Sequence, residues 1–228
     1  MGASYSIGST RTATIVRTGE ERATLVRRTY SLVFASVIIT MIGAAFGLSQ
    51  PAIMRAVMDH PILSFLCVLA PLFLASRSAR QFPANLGFTF LFTFAEGVLL
   101  SPVLFFYSRA MPGVLTQAAV LTLGAFGSLT LFAFASRRDF SALGSFLTVG
   151  LWVLIGTMLL NMFFHNPGAD LWLAGVGLMI FSGFVVYDTW KIRNVYGPDD
   201  YVLAAVNIYL DLLNIFMFLL RLLGGRRR

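Results

Sequence analysis

Three carboxylates interrupt long apolar runs: Glu96 in FAEGVLLSP, Asp188 in VVYDTWKI and Asp211 in YLDLLNIF. A carboxylate at membrane depth is costly and survives by facing a protein interior or water, so each is a candidate for ion or proton chemistry. Asp211 is the sharpest of the three. Asn207 stands four residues before it and Asn214 three after, so all three share one helical face. Such a polar stripe cannot face lipid, and other helices must enclose it. The competing reading makes Asp211 a structural hydrogen-bond partner, protonated or capped by its neighbours.

Asp188 closes its apolar run near a surface, where it could equally be an interfacial acid paired with Lys191 or Arg193. An antiparallel hairpin turning near Gly197 leaves Asp188 and Asp211 about 10 Å apart in depth. Spacing alone therefore does not pair them; a longer or dipping connection would. Glu96 shares its run with Pro102, which frees backbone carbonyls that could line a cavity. Structural proton sharing and an ion path both stay open for it. Asp139, Asp170, Asp199 and Asp200 fall in loops, where solvation explains them.

Other chemistries find little support. His60 and His165 lie in expected outer loops, and no HxxxH or CxxC spacing suggests a metal site. There is no GxSxG, no P-loop and no Gly-rich nucleotide turn, so neither an enzyme nor an organic cofactor is expected. Cys67 is the one cysteine, which rules out an intramolecular disulfide. The net charge of +7 would suit nucleic acid only as a basic patch on a folded face. The arginines instead flank the apolar runs, the pattern of loops at an anionic bilayer surface.

The elements that must hold these acids follow from composition. Of 228 residues, 57% are hydrophobic and 12% charged, and mean hydropathy is +0.80. Soluble domains carry about 25% charged residues, so most of this chain has lipid as its solvent. Apolar blocks occupy 30–49, 60–76, 86–107, 113–135, 142–164, 169–189 and 201–223. Backbone groups in lipid must bond within their own segment, so every block is expected to be helix. The second is the weakest, being short and broken by Pro71. The expected organisation is a polar N-terminal arm over 1–29, a seven-helix transmembrane domain over 30–223 and a basic tail over 224–228. The first apolar block is long enough to span, so it reads as a retained helix and not a signal peptide.

With the N-terminus inside, the inner side holds Arg11, Arg17, Arg22, Arg27, Arg28, Arg77, Arg80, Arg137, Arg138, Lys191 and Arg193. Arg55, Arg109, Arg221 and Arg226 to Arg228 fall outside. The balance favours a cytoplasmic N-terminus. The tail argues otherwise for the last helix, which either crosses against the rule or stops short. Gly43 with Gly47, and Gly124, Gly127 and Ser128, form small-residue stripes expected to serve helix packing.

YDTWKI followed by DDYVLAAVNIYLDLLNIFMFLLRLL resembles the signature of the Bax inhibitor-1 family (transmembrane Bax inhibitor motif proteins, bacterial members included). FTFAEGVLLSPV is similar to the same family's EG-x-x-L-SP segment. The resemblance implies six helices around a central seventh, in agreement with the enclosed polar stripe. It also implies a calcium leak regulated by pH through two aspartates, matched here by Asp188 and Asp211; their carboxylate oxygens also suit contact with a hard cation such as calcium. An arginine at the inner end of the second helix latches to that pair in the family; Arg77 or Arg80 stands there. The acidic tail of some eukaryotic members is replaced by Arg226, Arg227 and Arg228. A bacterial inner membrane is the expected location. The rival expectations are a non-conducting regulator that binds membrane proteins, such as a quality-control protease, through residues 1–29, and a proton-coupled transporter.

Overall fold

A computed structural model describes residues 19–225 apart from His165. Most of the expected N-terminal arm, with Arg11 and Arg17, and the tail residues Arg226 to Arg228 lie outside the described residues. Those described form α-helices with one short 3-10 turn and no strand. The helices are α1 (Gly19–Ser49), α2 (Pro51–Asp59), α3 (Pro61–Arg77), α4 (Ala84–Ala110), α5 (Val114–Ala135), α6 (Ser141–Phe164), α7 (Pro167–Asn194) and α8 (Tyr201–Gly225).

Two boundaries differ from the sequence reading. Residues 19–29, expected in the polar arm, are helical and continuous with the first apolar block in α1. Polarity marks where α1 leaves hydrocarbon, not where it stops being helical: its 31 residues run about 46 Å. The loop expected after Pro51 is a nine-residue helix, α2. Pro51 and Pro61 each occupy a first helical turn, where the missing N–H costs nothing. The chain bends by 103° between α2 and α3.

The two ends of the bundle fix the direction in which each helix runs. The start of α1 (Leu25, Leu32), the α3–α4 link (Ala79), the end of α7 (Ile192) and the start of α8 (Val202) share one apolar cluster. Arg80 reaches Asp200 across the same end, and Arg28 lies over the ring of Tyr201. At the other end, Tyr107 of α4, Val114 of α5 and Leu220 of α8 cluster. Because α1 leaves the first end and α4 starts there, the bent α2–α3 pair has to carry the chain back. Seven crossings result, and α8 finishes at the end opposite α1's start. The last helix therefore runs the full depth of the bundle.

The outer surface is apolar, with Phe146, Trp172 and Phe164 all strongly exposed. Buried hydroxyls turn to their own helices instead: Thr40 donates to the Ser36 carbonyl at 2.9 Å and Thr122 to that of Ala118 at 2.7 Å. That inversion is what lipid as solvent requires. The molecule is a multi-pass integral membrane protein.

α8 is the inner helix. Half of its apolar stretch is buried, against 17% for α5 and for α6. It packs on α1, α4, α5 and α7. Val68 of α3 reaches Tyr209 through a shared cluster, and α6 faces α8 across a cavity. The arrangement of six helices around a central C-terminal one holds.

The tightest packing joins α1 and α4. A Cβ on Gly43 would collide with the Phe94 carbonyl, one on Gly97 with that of Thr40, and one on Gly47 would lie 2.5 Å from Ser101 Oγ. Small residues here let two backbones touch. The second stripe does not do this: a Cβ on Gly124 or Gly127 would meet nothing within 4 Å, and Ser128 bonds the Gly124 carbonyl of its own helix.

Candidate functional site

The polar stripe of α8 lines a cavity of about 870 Å³ bounded by α6, α7 and α8. Asn207, Asp211 and Asn214 all contribute to its wall, together with Asp188 and Lys191 from α7. Asp188 is 5% exposed and Asp211 4%. Both carboxyl groups line this one cavity, near enough for each to influence the other's charge.

The pairing that residue counting left open comes from helix ends and side-chain direction. Asp188 lies six residues before the end of α7, and Asp211 ten after the start of α8. The difference in depth is thus about one turn, roughly 6 Å. Side chains lean toward the N-terminus of their own helix. In antiparallel helices this sends Asp188 deeper and Asp211 shallower, and the two converge. Residues 195–200, with a 3-10 turn at Pro198–Asp200, form the longer connection that the pairing needs.

A cation holds the pair. Lys191 Nζ lies 3.0 Å from Asp188 Oδ1, one helical turn along α7. Its ammonium also stands 4.8 Å from the centre of the Tyr196 ring and 5.2 Å from that of Tyr187. Asn207 Nδ2 donates to the Tyr196 hydroxyl at 2.8 Å, which ties the link after α7 back to α8. Asp211 Oδ2 has no hydrogen-bond partner.

The expected arginine latch is not where the resemblance placed it. Arg80 Nη2 bonds Asp200 Oδ1 at 2.7 Å and Nε bonds the same oxygen at 3.0 Å. Asp200 Oδ2 accepts from the Gly197 amide, so Arg80 is engaged at the rim of the bundle. Arg77 is exposed. Lys191, a lysine of α7 itself, occupies the position beside the acids.

Glu96 stands apart. It is half-buried on α4 and does not line the cavity. Its electrostatic neighbour is Tyr209, whose hydroxyl meets Thr40 Oγ1 at 2.7 Å. Asn214 lines the cavity but donates Nδ2 to the Leu210 carbonyl of its own helix.

Of the two partners the sequence offered Asp188, Lys191 pairs with it and Arg193 does not; nothing in the spacing pointed to Tyr196. Arg193 Nη1 bonds the carbonyls of Phe134 at 3.1 Å and Ser136 at 2.6 Å, with Ala133 at 3.4 Å. It caps the C-terminal end of α5, where free carbonyls and the helix dipole favour a cation.

Among the described residues no three His, Cys, Asp or Glu side chains converge as a metal site. Resident calcium takes six to eight oxygen ligands, and the acid pair alone offers too few. The arrangement suits proton sharing and transient cation contact better than tight chelation.

Comparison with known proteins identifies the family. The family described as Inhibitor of apoptosis-promoting Bax1 matches residues 22–228. The chain belongs to the Bax inhibitor-1 family. It is 35% identical over 207 residues to Bax inhibitor 1 of Schizosaccharomyces pombe, covering 89% of this chain and 77% of that protein. Protein lifeguard 4 of mouse is 32% identical over 205 residues, with 89% and 85% covered. An uncharacterized membrane protein of Vibrio cholerae is 35% identical over 223 residues, 94% and 95% of the two chains. The matched residues, 22–228, include Asp188 and Asp211.

Proposed function

We propose that this family member is a pH-sensitive calcium leak pathway of a bacterial inner membrane, with its N-terminus in the cytoplasm. The observation that carries the reading is the meeting of Asp188 and Asp211, from antiparallel helices, at a cavity within the bundle. Two adjacent carboxyls in a low-dielectric site cannot both ionise cheaply, so they share a proton and titrate as a unit. A shared proton ties α7 to α8. Its loss replaces a hydrogen bond by repulsion, which Lys191 moderates, and biases the two helices apart. A differential of a few kcal/mol is enough to switch such an equilibrium. Calcium is the cargo, a hard cation suited to carboxylate oxygens in transit. The reading needs no covalent chemistry and no cofactor.

Calcium flux into proteoliposomes, followed over a range of pH, tests it. Asp188→Asn and Asp211→Asn should each flatten the pH profile. If both leave flux and profile unchanged, the pair is not the gate.

The second reading is a non-conducting regulator that binds other membrane proteins, a quality-control protease among them. Its support is the name of another relative, Golgi anti-apoptotic protein of vaccinia virus, 34% identical over 205 residues. Deleting the polar residues ahead of α1 should then abolish function, and the intact protein should carry no calcium flux in proteoliposomes.

A further inference from the structure

We propose that the cavity between α6, α7 and α8 binds a cationic amphiphile, a protonated long-chain amine, with its ammonium at Asp211 and its hydrocarbon along α6. The proposal shares Asp211 with the calcium reading but needs no ion flow.

Size is the first observation. About 870 Å³ falls within the range of small-molecule sites, roughly 300–1,000 Å³, and is ample for more than a transient cation. The mixed character of the wall is the second. Asp188, Lys191, Asn207 and Asp211 line it together with Val149 and Ile155 of α6 and Phe181 and Phe184 of α7. A molecule with a polar head and a hydrocarbon tail matches both kinds of residue.

The third observation selects the head. Lys191 compensates Asp188, but Asp211, 4% exposed, keeps an oxygen without a donor. A buried acceptor left unpaired is unfavourable, so the ligand head must donate a hydrogen bond. A protonated amine that displaces the proton shared by the pair leaves two carboxylates facing two cations, Lys191 and the ligand head. An anionic head would face Asp211, and an alcohol would donate without the charge. The route of entry is the fourth. α6 packs on α7 and is held off α8 by the cavity, and Val149 and Ile155 lie on an apolar outer surface with Phe146 and Trp152. The ligand therefore arrives from the hydrocarbon.

Radiolabelled dodecylamine, added to the full chain in nanodiscs with empty discs subtracted, tests the site. The expected result is saturable binding of one amine per chain that dodecanol and dodecyl sulfate displace poorly. Asp211→Asn should weaken it by about ten-fold or more, as loss of a charged hydrogen bond does. Ile155→Trp, which fills the cavity from α6, should also weaken it, while Leu123→Trp on the outer face of α5 should not. Non-saturable uptake overturns the proposal, as does displacement by dodecanol or dodecyl sulfate as effective as by unlabelled amine. Equal effects of the two tryptophans would do the same. Amine-free calcium flux of the wild type reports on the leak separately, so either idea can fail while the other stands.

Discussion

Lys191 forms a 3.0 Å ion pair with Asp188 while Asp211, the other acid of the pair, keeps an unpartnered oxygen on the neighbouring helix. The two acids are thus unequal. Asp188 has a fixed counter-charge three residues along its own helix, and Asp211 depends on Asp188 or on whatever enters the cavity. A proton shared by the pair therefore sits in an asymmetric site, with the cation on the α7 side.

This asymmetry predicts a non-additive mutant cycle. Lys191→Met leaves Asp188 buried without its cation, and breaking such a pair should cost roughly 3 kcal/mol. Adding Asp188→Asn removes the stranded charge and should recover most of that loss. Thermal unfolding of the purified protein in detergent measures both. Equal stability of the single and double variants would show that Lys191 does not compensate Asp188.

The α1–α4 seam predicts a contrast between glycines. Gly97→Ala places a methyl group against the Thr40 carbonyl and within 2.8 Å of the Ala44 amide nitrogen. Both obstacles are backbone and cannot swing away, so overpacking should destabilise by about 1–3 kcal/mol. Gly124→Ala meets open space and should be neutral or gain up to about 1 kcal/mol from helix propensity. Denaturant titration of the two variants side by side decides it; equal losses would contradict the seam.

The cap on α5 predicts a local effect. Arg193→Gln removes the guanidinium from the carbonyls of Phe134 and Ser136. The last turn of α5 should fray, at a cost of about 1–2 kcal/mol, and hydrogen exchange should quicken over residues 134–138. Arg193→Lys should restore part of the protection. Exchange that stays at the wild-type rate in Arg193→Gln would remove the cap from the account.

Hydropathy made the long spans legible, because lipid forces each apolar block into helix whatever its neighbours do. It also exposed the stripe of Asn207, Asp211 and Asn214, since their spacing is a property of one helix. What it could not show were features set by two segments at once. α2 was hidden because two prolines and short length look like a loop, although each proline starts a helix. The convergence of Asp188 and Asp211 depends on where α7 stops, how residues 195–200 return and which way each Cβ leans. Arg80 lost its expected role for the same reason: Asp200, distant in sequence, meets it at the rim.

The shared end of the bundle predicts sidedness. Cys67 is the one cysteine, so Cys67→Ser provides a background for single-cysteine labelling. Gln81 lies in the α3–α4 link and Ser136 at the end of α5; both belong to the end where α1 starts and where Arg80 meets Asp200. Ser108, near the end of α4, belongs to the opposite one. With the N-terminus cytoplasmic, Gln81→Cys and Ser136→Cys should react with a membrane-impermeant maleimide only after the membrane is opened. Ser108→Cys should react in intact spheroplasts. The decisive variant is Gln81→Cys, since it reports whether the bent α2–α3 pair crosses. Labelling of Gln81→Cys from the side opposite to Ala23→Cys, near the start of α1, would mean that α2 and α3 do not return the chain, and the bundle would have six crossings.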